Sequence, residues 1–410
     1  MKDKKLEKYI QSIEAVVGDT ITGVARETLV EITTKFIQLN NSVISYEEIS
    51  GEDDVSLREF SSEGEVSLSE PEFFDELPEE IRDILGTHQY SRPFMLEVPN
   101  VIVQAPEGHT RRAEDGKYIV YNYGKEGTEH AAQSLAYDIV IGLSHGSVPP
   151  VRSETDDMPR YDLALSLLSP HTNNYTHWAQ ECLTRLEAFD HYVEQAGKRP
   201  TILLPEDPPA FVNESLSLLG YDDQNCVEVN DGPVCVDQLV MPTPRRFLNN
   251  KSGERWLRMP EAFDWVSDQA IEAIDGSEAQ YSSHVLISRE DASTRRMTNR
   301  SEVVDQLSEY GFEKYVPGTM SYEEQVGLFS QADFVVGAHG AGMINCIYAN
   351  DASVLELYGN HFLPANYELA QGQGRPYGCL HCDPVDKDFR VNAEKLTEAV
   401  ALLEDLRQND

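Results

Sequence analysis

Lysine is scarce in this chain: 12 of 410 residues, beside 21 arginines and 71 acidic residues, for a formal charge of -38. A surface of that sign repels nucleic-acid phosphate and anionic lipid, which excludes DNA or RNA as the expected partner. Cysteine is thin as well, six residues at positions 182, 226, 235, 346, 379 and 382. Cys379-Leu-His-Cys382 is one C-x2-C, and a structural zinc site takes a second pair that Cys226 and Cys235 are too widely spaced to form. Reduced thiols, partly in the core, and no bound metal are expected. No apolar run approaches the ~20 residues of a membrane span. The opening segment, MKDKKLEKYIQSIEAVVGD, lacks the apolar centre of a signal peptide. The expected location is cytoplasmic, either free or at the inner face of the membrane.

What is present is dispersed acid. It runs through every segment rather than forming a tail, and 40% apolar residues still allow sizeable cores. Acid without lysine suits a cytosol near salt saturation, where screening removes self-repulsion, so an extreme halophile of haloarchaeal type is expected.

Along the chain, residues 1 to about 40 carry helical spacing (Leu6, Ile10, Ile13, Val17, then Ile21, Val24, Leu29, Ile32, Phe36). Such helices pack on the main body, self-associate into a homo-oligomer, or make a peripheral membrane contact. Residues 41–88 are acidic and read as a linker with short structured pieces. From Phe94 strands and helices alternate, which indicates α/β architecture with a largely parallel sheet. A helix from Tyr175 shows apolar Trp178, Cys182, Leu186 and Phe189, with Asn173 or Thr172 as cap. Residues 209–219 read as a helix closed by Gly220. Pro260 opens another helix, Ser321 and Glu324 form a capping box, and Ala393 to Leu406 is the last helix. The expected domains are 1–90, a helical and acidic extension; 91–245; and 246–410.

The chain is organised around Phe334 to Tyr358, FVVGAHGAGMINCIYANDASVLELY. An apolar strand, a small-residue turn from Gly337 to Gly342, a short helix and a second apolar strand make one βαβ unit. Glycine lets the backbone approach a ligand closely. The first N–H groups of a helix are unpaired and favour negative charge, so a diphosphate suits the site. No Gly-Lys-Ser/Thr follows, and His339 sits inside the turn, so neither the Walker pattern nor the usual GxGxxG applies. The same spacing also serves a tight turn that binds nothing.

Further residues narrow this. ISREDASTRRMTNRSEVVDQL and SYEEQVGLFSQADFVVGAHGAGMINCIYANDASVLELYG resemble glycosyltransferase family 61, over about residues 160–400. The strongest part is Ile287-Ser288-Arg289, Gly337 to Gly342, Asn345, and Val354 to Leu357 around Glu356. Asn174-Tyr175-Thr176-His177-Trp178 looks like the family's Asn-Tyr-aromatic-His-Trp element, with Thr176 where an aromatic is usual. The first 90 residues match nothing of the kind. The resemblance implies a GT-B-like fold, two Rossmann-like domains facing a cleft, with the acceptor side N-terminal and the nucleotide-sugar side C-terminal. It implies inverting transfer from a nucleotide-diphosphate sugar, usually a UDP-sugar, to a hydroxyl of a glycan, glycolipid or glycoprotein. Rival readings are a nucleotide-sugar epimerase-like enzyme and a non-catalytic nucleotide-sugar or glycan-binding protein.

Roles follow residue by residue. Gly340, Ala341 and Gly342 would offer N–H groups to the diphosphate. His339 would donate to a phosphate oxygen or the sugar, or only hold the turn. Ser288 and Arg289 lie past a strand end, where ligands gather in open α/β sheets, and the arginine fork suits phosphate. A surface salt bridge is the other reading of Arg289. Arg295 and Arg296 read as solvated loop charges. Glu356 would accept from the ribose or cap a loop, and Asn345 would meet ligand or local backbone. Backbone donors and arginine can neutralise a leaving diphosphate, so no cofactor or metal is expected. Inversion needs a base; His177 is the first candidate, with Glu181 and His145 in reserve.

Overall fold

The computed structural model describes residues 23–121, 129–144, 158–222, 224–249, 251, 255–276 and 279–409. They form two compact units woven from separate stretches. Unit 1 takes Met1–Ser62, Arg92–Pro209 and Tyr221–Pro244; unit 2 takes Glu63–Ser91, Ala210–Gly220 and Arg245–Asp410.

Unit 1 is built on a nine-stranded sheet. Its longest strand, Phe94–Ala105, pairs antiparallel with Gly232–Pro242 and with His109–Arg112. Gly232–Pro242, Arg160–Ser166, Thr201–Pro205 and Cys226–Val229 then run parallel in that spatial order. The sheet is therefore mixed, not the wholly parallel one of a Rossmann-like domain. The physical reason lies in the connections: Phe94–Ala105, His109–Arg112 and Tyr118–Val120 are joined by loops too short for anything but antiparallel neighbours.

The acidic stretch before Phe94 is less of a linker than its charge suggests. Val43–Ser45 pairs parallel with Tyr118–Val120, and Ser56–Glu59 pairs with Phe94–Ala105. Ser45 and Glu48 close a capping box on the short helix Tyr46–Ile49. Ile44, Tyr46, Ile49, Phe60, Val66 and Leu68 are all buried. Acid occupies the outward positions between them, so in so acidic a chain charge does not mark a linker. The helix Gly23–Asn40 fits the expected spacing; residues 1–22, where the first helix was read, lie outside the described residues.

Unit 2 carries a six-stranded, wholly parallel sheet. Its order is Glu313–Tyr315, His284–Ile287, Phe334–Ala338, Ser353–Tyr358, Tyr377–His381, Phe73–Phe74. Phe334–Ala338 and Ser353–Tyr358 are buried at every residue, as parallel strands covered on both faces must be. The chain leaves His284–Ile287 for the strand on one side, then returns to Phe334–Ala338 on the other. That reversal makes the C-terminal ends of these two strands a topological switch point, where open α/β sheets place their ligands. The capping box Ser321–Glu324 opens the helix Tyr322–Ser330, and Pro260 occupies the first turn of Pro260–Ala273. The helix Ala210–Leu218, read beside the strands of the first domain, belongs to unit 2, where Glu214 accepts from the Tyr322 N–H at 2.8 Å.

Candidate functional site

Ser288 and Arg289 follow directly on His284–Ile287, and His339 and Gly340 follow on Phe334–Ala338, so both pairs sit at the switch point. The turn leads into a 3-10 helix, Ala341–Tyr348. The Met343 N–H bonds back to the Gly340 carbonyl at 3.0 Å, while the N–H groups of Ala341 and Gly342 meet no backbone acceptor among the described residues. Gly340, Ala341 and Gly342 are partly exposed, so the turn is open to solvent.

Two of the glycines are explained by close approach. A Cβ on Gly340 would lie 1.7 Å from Nη1 of Arg289. A Cβ on Gly337 would lie 2.3 Å from the Met343 sulfur and 2.9 Å from Cβ of Ile287. The first contact lays a guanidinium against the turn; the second seats the helix on the sheet. Beside them, Ser288 Oγ and Arg289 Nε are buried with no hydrogen-bond partner among the described residues. Buried polar atoms are ordinarily paired, so these two stand out at one strand end. Burial, then the charge of Arg295, holds the Arg289 guanidinium below its ordinary value, with Asp291 opposing. An anion placed there would relieve that penalty.

His339 is buried, and its Nδ1 lies 2.7 Å from Oε1 of Glu356, which is fully buried. Asn366 Nδ2 donates to the same oxygen at 2.5 Å, and the Tyr377 hydroxyl donates to Oε2. Burial, then the Glu356 charge, keeps that hydroxyl protonated and a donor. Glu356, read as a ribose contact or a loop cap, thus lies within the buried strand Ser353–Tyr358 among His339, Asn366 and Tyr377. Asn345 is fully buried and donates to Gln325 Oε1 at 2.7 Å, tying the 3-10 helix to Tyr322–Ser330.

Arg295 and Arg296, read together as solvated, separate. Arg296 is exposed and paired with Asp388. Arg295 is half-buried at φ 58°, and lines a cavity of about 330 Å³ with Thr294, Asn360, His361, Lys387 and Phe389. The His361 ring lies 5.4 Å from that of His339. Burial, then His339 and Arg295, hold His361 below its ordinary value, against Glu80. Arg289, Arg295, His339 and His361 therefore gather cationic capacity at one sheet end of a chain whose formal charge is -38.

In unit 1, Asn174, not Asn173 or Thr172, caps the helical run, its side chain accepting from the Thr176 N–H at 3.0 Å. The run passes from Tyr175–His177 through a π-helical turn, Trp178–Cys182, into Leu186–Ala196. Such π turns recur at functional sites. His177 Nδ1 lies 3.0 Å from Glu181 Oε1, so the two acid–base candidates form one pair. The His171 ring stacks on His177 at 4.4 Å. His177 is half-exposed and Trp178 fully buried, so the histidine keeps access to solvent while its neighbour anchors the turn. His145 lies outside the described residues.

Sequence reasoning missed Asn366, Tyr377, His361 and His171. His361 had a signal, since it follows the end of Ser353–Tyr358 at the same sheet edge. Asn366 and Tyr377 had none, because their meeting with Glu356 is made only by the fold. None of the six cysteines forms a disulfide; Cys379 and Cys382 are buried, and burial pushes the Cys382 thiol up to about 12. No group of metal-binding side chains occurs among the described residues, nor is any described helix long and apolar enough to cross a membrane.

Residues 175–355 match the family model for glycosyltransferase 61. No curated protein matches the chain. Among solved structures, similarity is found to the bacterial iron-containing dodecameric glycosyltransferase TibC from enterotoxigenic E. coli H10407. The identity is 10%, over 64% of this chain and 75% of that one, with a TM-score of 0.27. Residues 175–355 are thus a glycosyltransferase family 61 region, and the chain is a glycosyltransferase.

Proposed function

We propose that the chain is an inverting, GT-B-like transferase that moves a sugar from a nucleotide diphosphate, a UDP-sugar, to a glycan hydroxyl. Unit 2 is the donor-binding part. The observation that carries this reading is the group Ser288, Arg289, Arg295 and His339 set beside the open N–H groups of Ala341 and Gly342. It offers an arginine fork, a second guanidinium and backbone donors to one dianionic group. As the bond from the anomeric carbon to the diphosphate oxygen breaks, the leaving group keeps the electron pair, and these donors stabilise the growing charge. In this reading no metal is required.

The acceptor hydroxyl attacks the anomeric carbon and gives its proton to His177, with Glu181 holding the imidazole in orientation. The 3.0 Å His177–Glu181 contact supports that division of labour. The acceptor would be a glycan, glycolipid or glycoprotein, and the reaction cytoplasmic.

The test is calorimetric titration of UDP, GDP, ADP and inorganic phosphate in high salt. Micromolar binding of UDP, weakened at least about tenfold by Arg289→Ala, is expected. A protein that binds none of the diphosphates contradicts the donor reading.

A further inference from the structure

Glu356 is a buried carboxylate with an unusual set of neighbours. Asn366 Nδ2 can only donate, and it donates to Oε1, the oxygen that also faces His339 Nδ1 at 2.7 Å. The Tyr377 hydroxyl, held protonated by burial and by Glu356, donates to Oε2. An oxygen already accepting from an amide faces the ring as an acceptor, so the proton between Glu356 and His339 sits on Nδ1. That fixes the tautomer and leaves Nε2 as the reactive nitrogen. Phe362 packs against the ring at 5.8 Å and His361 at 5.4 Å, which limits its rotation.

We propose that Glu356, supported by Asn366 and Tyr377, is a positioning residue that holds His339 so that Nε2 meets the donor's phosphate. The diphosphate is met by the doubly protonated ring. Both nitrogens then donate: Nδ1 to the Glu356 carboxylate and Nε2 to a phosphate oxygen. The carboxylate supplies the counter-charge that such an imidazolium needs in a buried setting. Tyr377 and Asn366 keep that carboxylate aimed, in the way outer partners orient a working histidine elsewhere. This inference rests on the donor reading above for its phosphate, but not for its tautomer.

The test uses the full chain in two measurements. In free protein, side-chain 15N NMR of His339 should show the Nδ1–H form in the wild type and a loss of that single form in Glu356→Gln. In the presence of UDP, Glu356→Gln should bind roughly tenfold more weakly, and in a His339→Ala background the same change should cost nothing further. Tyr377→Phe, which keeps the carboxylate, is the second variant should Glu356→Gln not fold; it should weaken UDP binding in the same direction by a smaller factor. Wild-type tautomer together with wild-type affinity in whichever of these variants fold would overturn the proposal, as would fully additive losses in the double variant. If UDP fails to bind the wild type, the donor reading fails, and the NMR measurement alone still decides the tautomer.

Discussion

Gly340 and Arg289 occupy each other's space: a Cβ on the glycine would lie 1.7 Å from the arginine's Nη1. The glycine is therefore required by a guanidinium laid against the turn, not by a left-handed backbone, since its φ of 160° is extended. A flexible side-chain end can move aside, whereas a core contact cannot. Gly340→Ala is thus expected to fold normally and lose UDP affinity. Gly337→Ala, which drives a methyl into Met343 and Ile287, is expected to cost about 1–3 kcal/mol of stability. Thermal melts and calorimetry on the two variants separate these effects.

Arg289 itself should carry the larger share of donor affinity. A hydrogen bond to a charged group contributes about 1.5–3 kcal/mol, so Arg289→Ala should weaken UDP by roughly 10- to 150-fold. Arg289→Lys should recover only part of this, because a point charge cannot reproduce the fork. Equal affinity in wild type and Arg289→Ala would remove the residue from the site.

His177→Ala should lower turnover by about 10²- to 10⁴-fold, the usual contribution of general acid–base catalysis, with UDP affinity unchanged. Glu181→Gln should give a smaller loss in turnover. Steady-state kinetics beside nucleotide titration checks both; wild-type turnover in His177→Ala excludes it as the base.

His361 supplies a pH dependence. Its protonation is opposed by burial and by the neighbouring His339 and Arg295. Since its value is lowered in the folded state, its contribution to stability is present at neutral pH and declines as pH falls below the unfolded value of about 6.5. A bound diphosphate reverses the local sign and favours the charged ring. UDP affinity should therefore rise as pH drops below about 6.5, with proton uptake visible as a buffer-dependent binding enthalpy.

With 71 acidic residues against 33 basic ones, self-repulsion should govern stability in dilute buffer. Raising salt from about 0.1 M to about 1 M shortens the screening length from ~10 to ~3 Å. Melting temperature should climb across that range; a flat response would count against adaptation to high salt.

The stretch from Phe334 to Tyr358 was legible because its signals are local: buried apolar runs around a small-residue turn, then a capping box one helix earlier. Ser288 and Arg289 were legible by their place after a strand. What could not be read was long-range. Phe73–Phe74 completes the parallel sheet of unit 2 from far upstream, and Ala210–Leu218 joins the same unit. No periodicity encodes such a choice of partner. Glu356 reads in the sequence as a ribose contact or a loop cap, because a carboxylate on a strand looks the same whatever surrounds it; its meeting with Tyr377, Asn366 and His339 is made only by the fold.

The most direct test of the donor site is a crystal structure of the chain grown with UDP in high salt. The expected result is diphosphate density within hydrogen-bond reach of the Ala341 and Gly342 N–H groups and of Arg289. Density for the diphosphate at any other place on the protein would contradict it.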